Sequence, residues 1–289
     1  MRIGLVVHAG RERSLELARA AAERLREDGA TVMVTRPSQP EDVDHELLAA
    51  VATPVEPDRF ADGLDLALSL GGDGTFLRAA HLCRDHDVPV LGVNLGRLGF
   101  LAEIEVDALD DALVAIRERR YTVEERATLE VTIQGPDGAQ LGRGWALNEV
   151  AVEKTARQRL LHMEVRVADT LFARISADAL VIATPTGSTA YALSAGGPIL
   201  SPTLDATLVV PVAPHSLFDR TVVAGPSEEV VVRLQPDQAP ALVSCDGRNP
   251  VQLDTGGTIR ARGGGRPVRI ARTGPPDFYG LVREKFGLR

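Results

Sequence analysis

The sequence predicts two domains of different class, an α/β domain on a parallel sheet followed by an all-β domain. Up to about residue 120, apolar runs of strand length alternate with amphipathic helical patterns, the order that builds a parallel sheet with helices on its faces. Beyond Tyr121 the chain changes to short runs rich in Val, Ile, Leu and Thr, broken by Gly and Pro. Its 289 residues also exceed one typical domain.

In order along the first part, Ile3–His8 reads as a buried strand. Ser14–Arg26 carries Leu15, Ala18, Ala22 and Leu25 at helical spacing, and Thr31–Thr35 is a second strand. Pro54, Pro57 and Gly63 mark a loop before the strand-length run Leu64–Leu70. Thr75–Arg84 is helical, Val88–Val93 a strand and Asp107–Arg119 a helix. In the second part, Gly-Pro-Asp-Gly at 135–138, then Pro202, Pro211, Pro226, Pro236 and Gly263-Gly264-Gly265, punctuate hairpins. Asp277–Lys285 closes the chain as one short helix.

Composition narrows the function. Hydrophobic residues make up 44% and charged residues 25%, enough to bury a core. The net charge of −8 argues against a general nucleic-acid surface. No run reaches the roughly 18 apolar residues of a membrane span, and the N-terminus has no cleavage-site pattern. Cys83 and Cys245 cannot build a disulfide framework, which suits a cytoplasmic protein. His8, His81, His162 and His215 have no second ligand at metal spacing and are read as structural or surface residues.

Leu64–Leu70 runs directly into Gly71-Gly72-Asp73-Gly74-Thr75 and then a helix. A strand that turns sharply into a helix presents free N–H groups and the positive end of the helix dipole, a phosphate site. The glycines allow positive φ and close approach. Gly71, Gly72, Gly74 and Thr75 are therefore candidate phosphate-binding residues. The pattern is neither a Walker loop nor a dinucleotide fingerprint. Asp73 is either a turn residue or an acid that orients and deprotonates a substrate hydroxyl beside the phosphate. A helix N-terminus stabilises a carboxylate, so positioning outweighs basicity in that role.

Asn148-Glu149 sits in a strand-like run. Adjacent strand positions face opposite ways, so both side chains reach one ligand only at a bulge or strand end; a solvated edge is the alternative. Thr184-Pro-Thr-Gly-Ser-Thr-Ala-Tyr191, followed by Ser194-Ala-Gly-Gly-Pro198, is a hydroxyl-rich loop after an apolar strand. It is either a polar connection or a pocket wall for ribose and phosphate.

Taken together, the glycine turn, Asn148-Glu149 and the Thr184–Pro198 block resemble the bacterial NAD kinases. The resemblance extends to Asn94-Leu-Gly-Arg-Leu-Gly-Phe100 and Cys245-Asp246-Gly247. Departures are Ala179, where Gly is usual, and Thr221, where Pro is common. The resemblance implies a Rossmann-like parallel-sheet domain (1–120), an all-β sandwich domain (121–272) and a C-terminal segment (273–289) returning to the first. It implies transfer of a phosphoryl group from ATP, or polyphosphate, to the 2′-hydroxyl of the adenosine ribose of NAD, with a divalent metal such as Mg²⁺. Asp73, with Gly74 beside it, corresponds to the acid at that hydroxyl, and Phe100 to an aromatic near the adenine. Asn148 and Glu149 correspond to residues bonding the adenosine half, with Thr189 near the adenine. Asp178, Ala190, Tyr191 and Ser194 correspond to the wall around the nicotinamide end, and Arg78 and Arg159 to basic positions near the ligand. A homodimer or homotetramer is also implied. A lipid or sugar kinase on the same glycine turn, and a non-catalytic sensor of NAD(P)(H), are the rival expectations.

Overall fold

In the computed structural model, residues 1–8, 12–35, 48–96, 99–102, 104–215, 219–236 and 238–288 are described. The chain forms two units, Met1–Glu125 with Val268–Arg289, and Arg126–Pro267. Arg97 and Leu98 of the 94–100 motif lie outside the described residues.

The first unit begins with β1 (Arg2–Val7), α1 (Glu12–Glu27), β2 (Thr31–Thr35), β3 (Thr53–Val55) and β4 (Leu66–Gly71). It continues with α2 (Asp73–Cys83), β5 (Val90–Asn94), β6 (Ile104–Glu105), α3 (Leu109–Arg117) and β7 (Thr122–Arg126). β4 and β5 are buried at every position, the mark of central parallel strands covered on both faces. The strands lie in the order β3-β2-β1-β4-β5, all parallel, so the direction of winding reverses between β1 and β4. Ala18, Ala22 and Leu25 of α1 and Ala112, Leu113 and Ile116 of α3 join Leu68, Leu91 and Val93 in one core. Gly92 points the other way: a Cβ there would stand 2.8 Å from the Phe76 side chain. Because strand side chains alternate, α2 covers the opposite face.

The second unit contains β8 (Leu129–Gln134), β9 (Gln140–Ala146), β10 (Glu149–Lys154), β11 (Leu161–Val167), β12 (Thr170–Ala177) and β13 (Ala179–Ala183). A helical turn α4 (Tyr191–Ser194) precedes β14 (Thr207–Val212), β15 (Val222–Ala224), β16 (Val230–Leu234), β17 (Ala241–Cys245), β18 (Arg248–Leu253) and β19 (Thr258–Gly263). Among the described residues they make two antiparallel sheets, β15-β14-β13-β10-β17-β18 and β12-β11-β16-β19-β8-β9. Leu129–Gln134 buries every second residue, as a strand with one face inward must. Val150, Val152, Leu180 and Ile182 of one sheet share a core with Met163, Val165, Val230 and Val232 of the other. This is a β-sandwich, as expected.

The chain then returns to the first unit. β20 (Val268–Arg272) lies between β5 and β7, with Ile270 opposite Val90. Arg272 is buried and held by Glu124 at 3.1 Å. α5 (Phe278–Phe286) ends the described chain, capped by Asp277, whose carboxylate accepts the Gly280 N–H at 2.9 Å.

Candidate active site

The glycine turn leaves the carboxyl end of β4 where the sheet reverses its winding, the place where open α/β sheets bind ligands. Gly71 is required by packing, since a Cβ would come 2.2 Å from Thr75 Oγ1. Gly72 and Gly74 have no atom within 4 Å of a Cβ position and face open space. Contrary to the sequence expectation that these glycines take positive φ, none of the three adopts it. They supply clearance instead, because the strand passes into the helix through extended backbone at Gly72 (φ −102). The Thr75 and Phe76 N–H groups are engaged by Gly72 O at 3.0 and 3.1 Å, so the donors of the first turn that remain for a ligand are those of Asp73 and Gly74.

Asp73 does not cap its own helix. Its Oδ2 accepts the Phe100 N–H at 2.9 Å, and Oδ1 accepts those of Leu101 and Ala102 at 3.0 and 3.2 Å. A Cβ on Gly99 would sit 2.0 Å from Oδ1, so only glycine admits this approach. The carboxylate is thereby fixed in rotamer and direction. Arg78, on α2, donates Nη2 to Val7 O at 2.8 Å at the carboxyl end of β1. Phe100 is half-buried, with the Phe278 ring 6.3 Å away and Lys285 Nζ 4.4 Å from its centre.

In the second unit the run around Asn148 is not one strand. β9 ends at Ala146 and β10 starts at Glu149, so Asn148 occupies the strand end that the two side chains needed. Asp246 holds this break open: its carboxylate accepts the N–H groups of Leu147 and Asn148 at 2.8 Å each and of Glu149 at 3.1 Å. The hydroxyl-rich loop is fastened to the same place. Thr184 Oγ1 donates to Leu147 O at 2.5 Å, and Thr184 N–H to Asn148 O at 2.9 Å. A Cβ on Gly187 would lie 2.0 Å from Asn148 O.

Most of the loop's hydroxyls hold the loop itself rather than line a wall. Thr184, Thr186 and Ser188 are buried; Thr186 Oγ1 accepts from Arg126, Ser188 bonds Leu200, and Thr189 Oγ1 donates to Thr186 O.

Burial, with the Asp246 charge added, raises Glu149 to about 7, opposed by a hydrogen bond from the Tyr191 backbone. Its Oε2 is buried with no hydrogen-bond partner among the described residues. Burial and the nearby Glu153 also raise the Tyr191 phenol, with Asp178 and Glu149 contributing. Glu149, Tyr191 and Asp178 thus share one electrostatic neighbourhood, and Asp178 is ion-paired with Lys154. Ala190 is half-buried, while Ser194, at the end of α4, and Arg159, between β10 and β11, are exposed. Neither cysteine offers a nucleophile, since burial pushes Cys83 and Cys245 up to about 12.

Asp246 and the Gly99–Ala102 amides were not assigned as site residues from sequence. Their signals were present in the motifs Cys245-Asp246-Gly247 and Asn94–Phe100, but the bonds they make join residues far apart in the chain.

Residues 3–121 match the family model described as the ATP-NAD kinase N-terminal domain, and residues 147–273 match the ATP-NAD kinase C-terminal domain. An NAD kinase of Corynebacterium jeikeium is 42% identical over 285 residues, covering 98% of this chain and 87% of that one. An NAD kinase of Corynebacterium efficiens is 44% identical, covering 98% and 90%. The chain belongs to the NAD kinase family. It is therefore an enzyme, a kinase that phosphorylates NAD to NADP with ATP as donor. Yeast NADH kinase complexed with NADH has the same fold, with a TM-score of 0.87 at 23% identity, over 100% of this chain and 88% of that one. An Archaeoglobus fulgidus NAD kinase in complex with ATP aligns with a TM-score of 0.70 at 25% identity, over 100% and 98%. Among the described residues, no helix is long and apolar enough to cross a membrane.

Proposed function

We propose that Asp73 orients the 2′-hydroxyl of the adenosine ribose of NAD and takes its proton. The oxygen then bonds the terminal phosphorus of ATP as the bond to ADP breaks. The observation that carries this is the Asp73 carboxylate, fixed by three backbone N–H groups at the carboxyl end of β4. A loose phosphoryl transition state draws on such positioning more than on basicity.

Gly71, Gly72, Gly74 and Thr75 form the donor-phosphate turn, with Arg78 beside it. Phe100 packs near the adenine, and Asn148 and Glu149 hydrogen-bond the adenosine half with Thr189 nearby. Asp178, Ala190, Tyr191 and Ser194 form the wall at the nicotinamide end, and Arg159 is a further basic position. The unpartnered Glu149 Oε2 supports a ligand group there. Inorganic polyphosphate is a second donor in this reading.

The divalent ion, Mg²⁺, would arrive on the phosphates and offset their charge. Among the described residues no three His, Cys, Asp or Glu side chains are placed to hold one, and Mg²⁺ leans on phosphates and water. The two free cysteines fit a reducing cytoplasm. A homodimer or homotetramer completes the proposal, and light scattering would measure it.

The deciding experiment is Asp73→Asn, assayed for NADP formation alongside NAD binding. Loss of turnover with retained binding is expected; near-normal turnover would remove Asp73 from the chemistry.

A further inference from the structure

One face of α5 carries Phe278, Leu281 and Lys285, spaced i, i+3 and i+7, so the three project together. Leu281 is buried, the Phe278 ring meets that of Phe100 at 45°, and Lys285 Nζ stands 4.4 Å over the Phe100 ring, within cation–π range. Elsewhere the helix exposes Tyr279 at 71% and Phe286 at 48%, and Leu288 just beyond it is 57% exposed. Both ends are closed locally. Asp277 caps the first turn, and Gly287 (φ 59) takes the left-handed conformation that ends the last. The helix is thus self-capped and presents this single stripe, two of whose residues meet Phe100.

Phe100 is also the first of the three residues whose N–H groups grip Asp73. Its side chain answers to α5 while its backbone answers to the carboxylate. A shift of the ring that carried the Phe100 main chain with it would move the N–H that holds Asp73 Oδ2, and with it the direction in which the carboxylate points.

We propose that the C-terminal helix positions the Asp73 carboxylate, with Lys285 a positioning residue that acts through Phe100. This rests on the assignment of Asp73 as the acid at the 2′-hydroxyl. Lys285→Met keeps the alkyl stem but removes the charge, while Lys285→Arg keeps a cation over the ring.

Steady-state kinetics on the full chain, varying NAD and ATP separately, tests it. Lys285→Met is expected to lose about 3- to 10-fold in kcat/KM for NAD, with KM for ATP unchanged within about two-fold. Lys285→Arg should stay within about two-fold of the parent. In a Phe100→Leu background, Lys285→Met should add no further loss, because the ring it acts through is gone. Parent-like kinetics for Lys285→Met, a loss that Lys285→Arg does not recover, or an undiminished loss without the ring would each overturn the proposal. Asp73→Asn separates the two failures. If it is inactive while Lys285→Met is normal, only the positioning role falls; if it is active, the Asp73 assignment falls first.

Discussion

The Asp246 carboxylate accepts the Asn148 N–H at 2.8 Å and so fixes the strand end on which Asn148 and Glu149 stand. It also receives the N–H groups on either side, those of Leu147 and Glu149. In the first unit Asp73 does the same to three successive amides, so each unit uses one carboxylate to hold a bent segment of main chain.

Removing the Asp246 carboxylate should therefore disturb substrate binding and folding together. Asp246→Ala is expected to cost about 2–3 kcal/mol, the loss of charge-assisted bonds to partly buried donors. KM for NAD should rise alongside. Urea unfolding and NAD titration on the same variant check both effects.

Glu149 makes the second unit sensitive to pH. Its folded value of about 7 stands above its ordinary 4.5, so the folded state holds the proton more tightly than the unfolded state. The resulting stability is complete below about pH 4.5 and declines as pH rises through 7, by on the order of 3 kcal/mol. Glu149→Gln should match the parent at the acid end and exceed it at pH 8. Denaturant midpoints at pH 5 and pH 8 would show whether that slope disappears. Asp246→Asn should move the Glu149 titration downward, because the Asp246 charge is one of the causes that raise it.

Two glycines should respond differently to a methyl group. Gly99→Ala presses on the Asp73 side chain, which can turn away. Its expected result is a near-normal melting temperature with turnover reduced about 10- to 100-fold, since a displacement of about 1 Å is enough. Gly187→Ala presses on the Asn148 main chain, which has no rotamer to escape into. That variant should lose about 1–3 kcal/mol or more, as overpacking does. Thermal unfolding and NADP formation distinguish the two outcomes.

The Lys154–Asp178 pair lies partly in solvent, at 24% and 39% exposure. Lys154→Met should therefore change stability by only about 0–1 kcal/mol. A change in KM for NAD without a change in melting temperature would mark the pair as part of the nicotinamide wall. An unchanged KM would leave it a surface ion pair.

Much of the fold was legible because its signals are local. The run Leu64–Leu70, the helical spacing of Leu15, Ala18, Ala22 and Leu25, and the closing helix from Asp277 follow from side-chain periodicity and turn chemistry. They appear as β4, α1 and α5 within one or two residues at each end. The family was legible for the same reason: Gly71–Thr75 and Thr184–Pro198 are contiguous stretches. Short-range reading of the strand-like run at Asn148 left a strand end and a solvated edge both open, because the break there is maintained by a distant aspartate.

By itself, then, the sequence determined the two structural classes, the position of the glycine turn and the residue types available for phosphoryl transfer. Tertiary structure alone decided what those residues touch. That Asp73 turns to amides 27–29 positions onward, that Asp246 reaches back 97–99 positions, and that the glycines serve clearance rather than positive φ are consequences of register and packing. A carboxylate's chemical type is written in one residue, but its hydrogen-bond partners are set by which strand ends the sheet brings side by side.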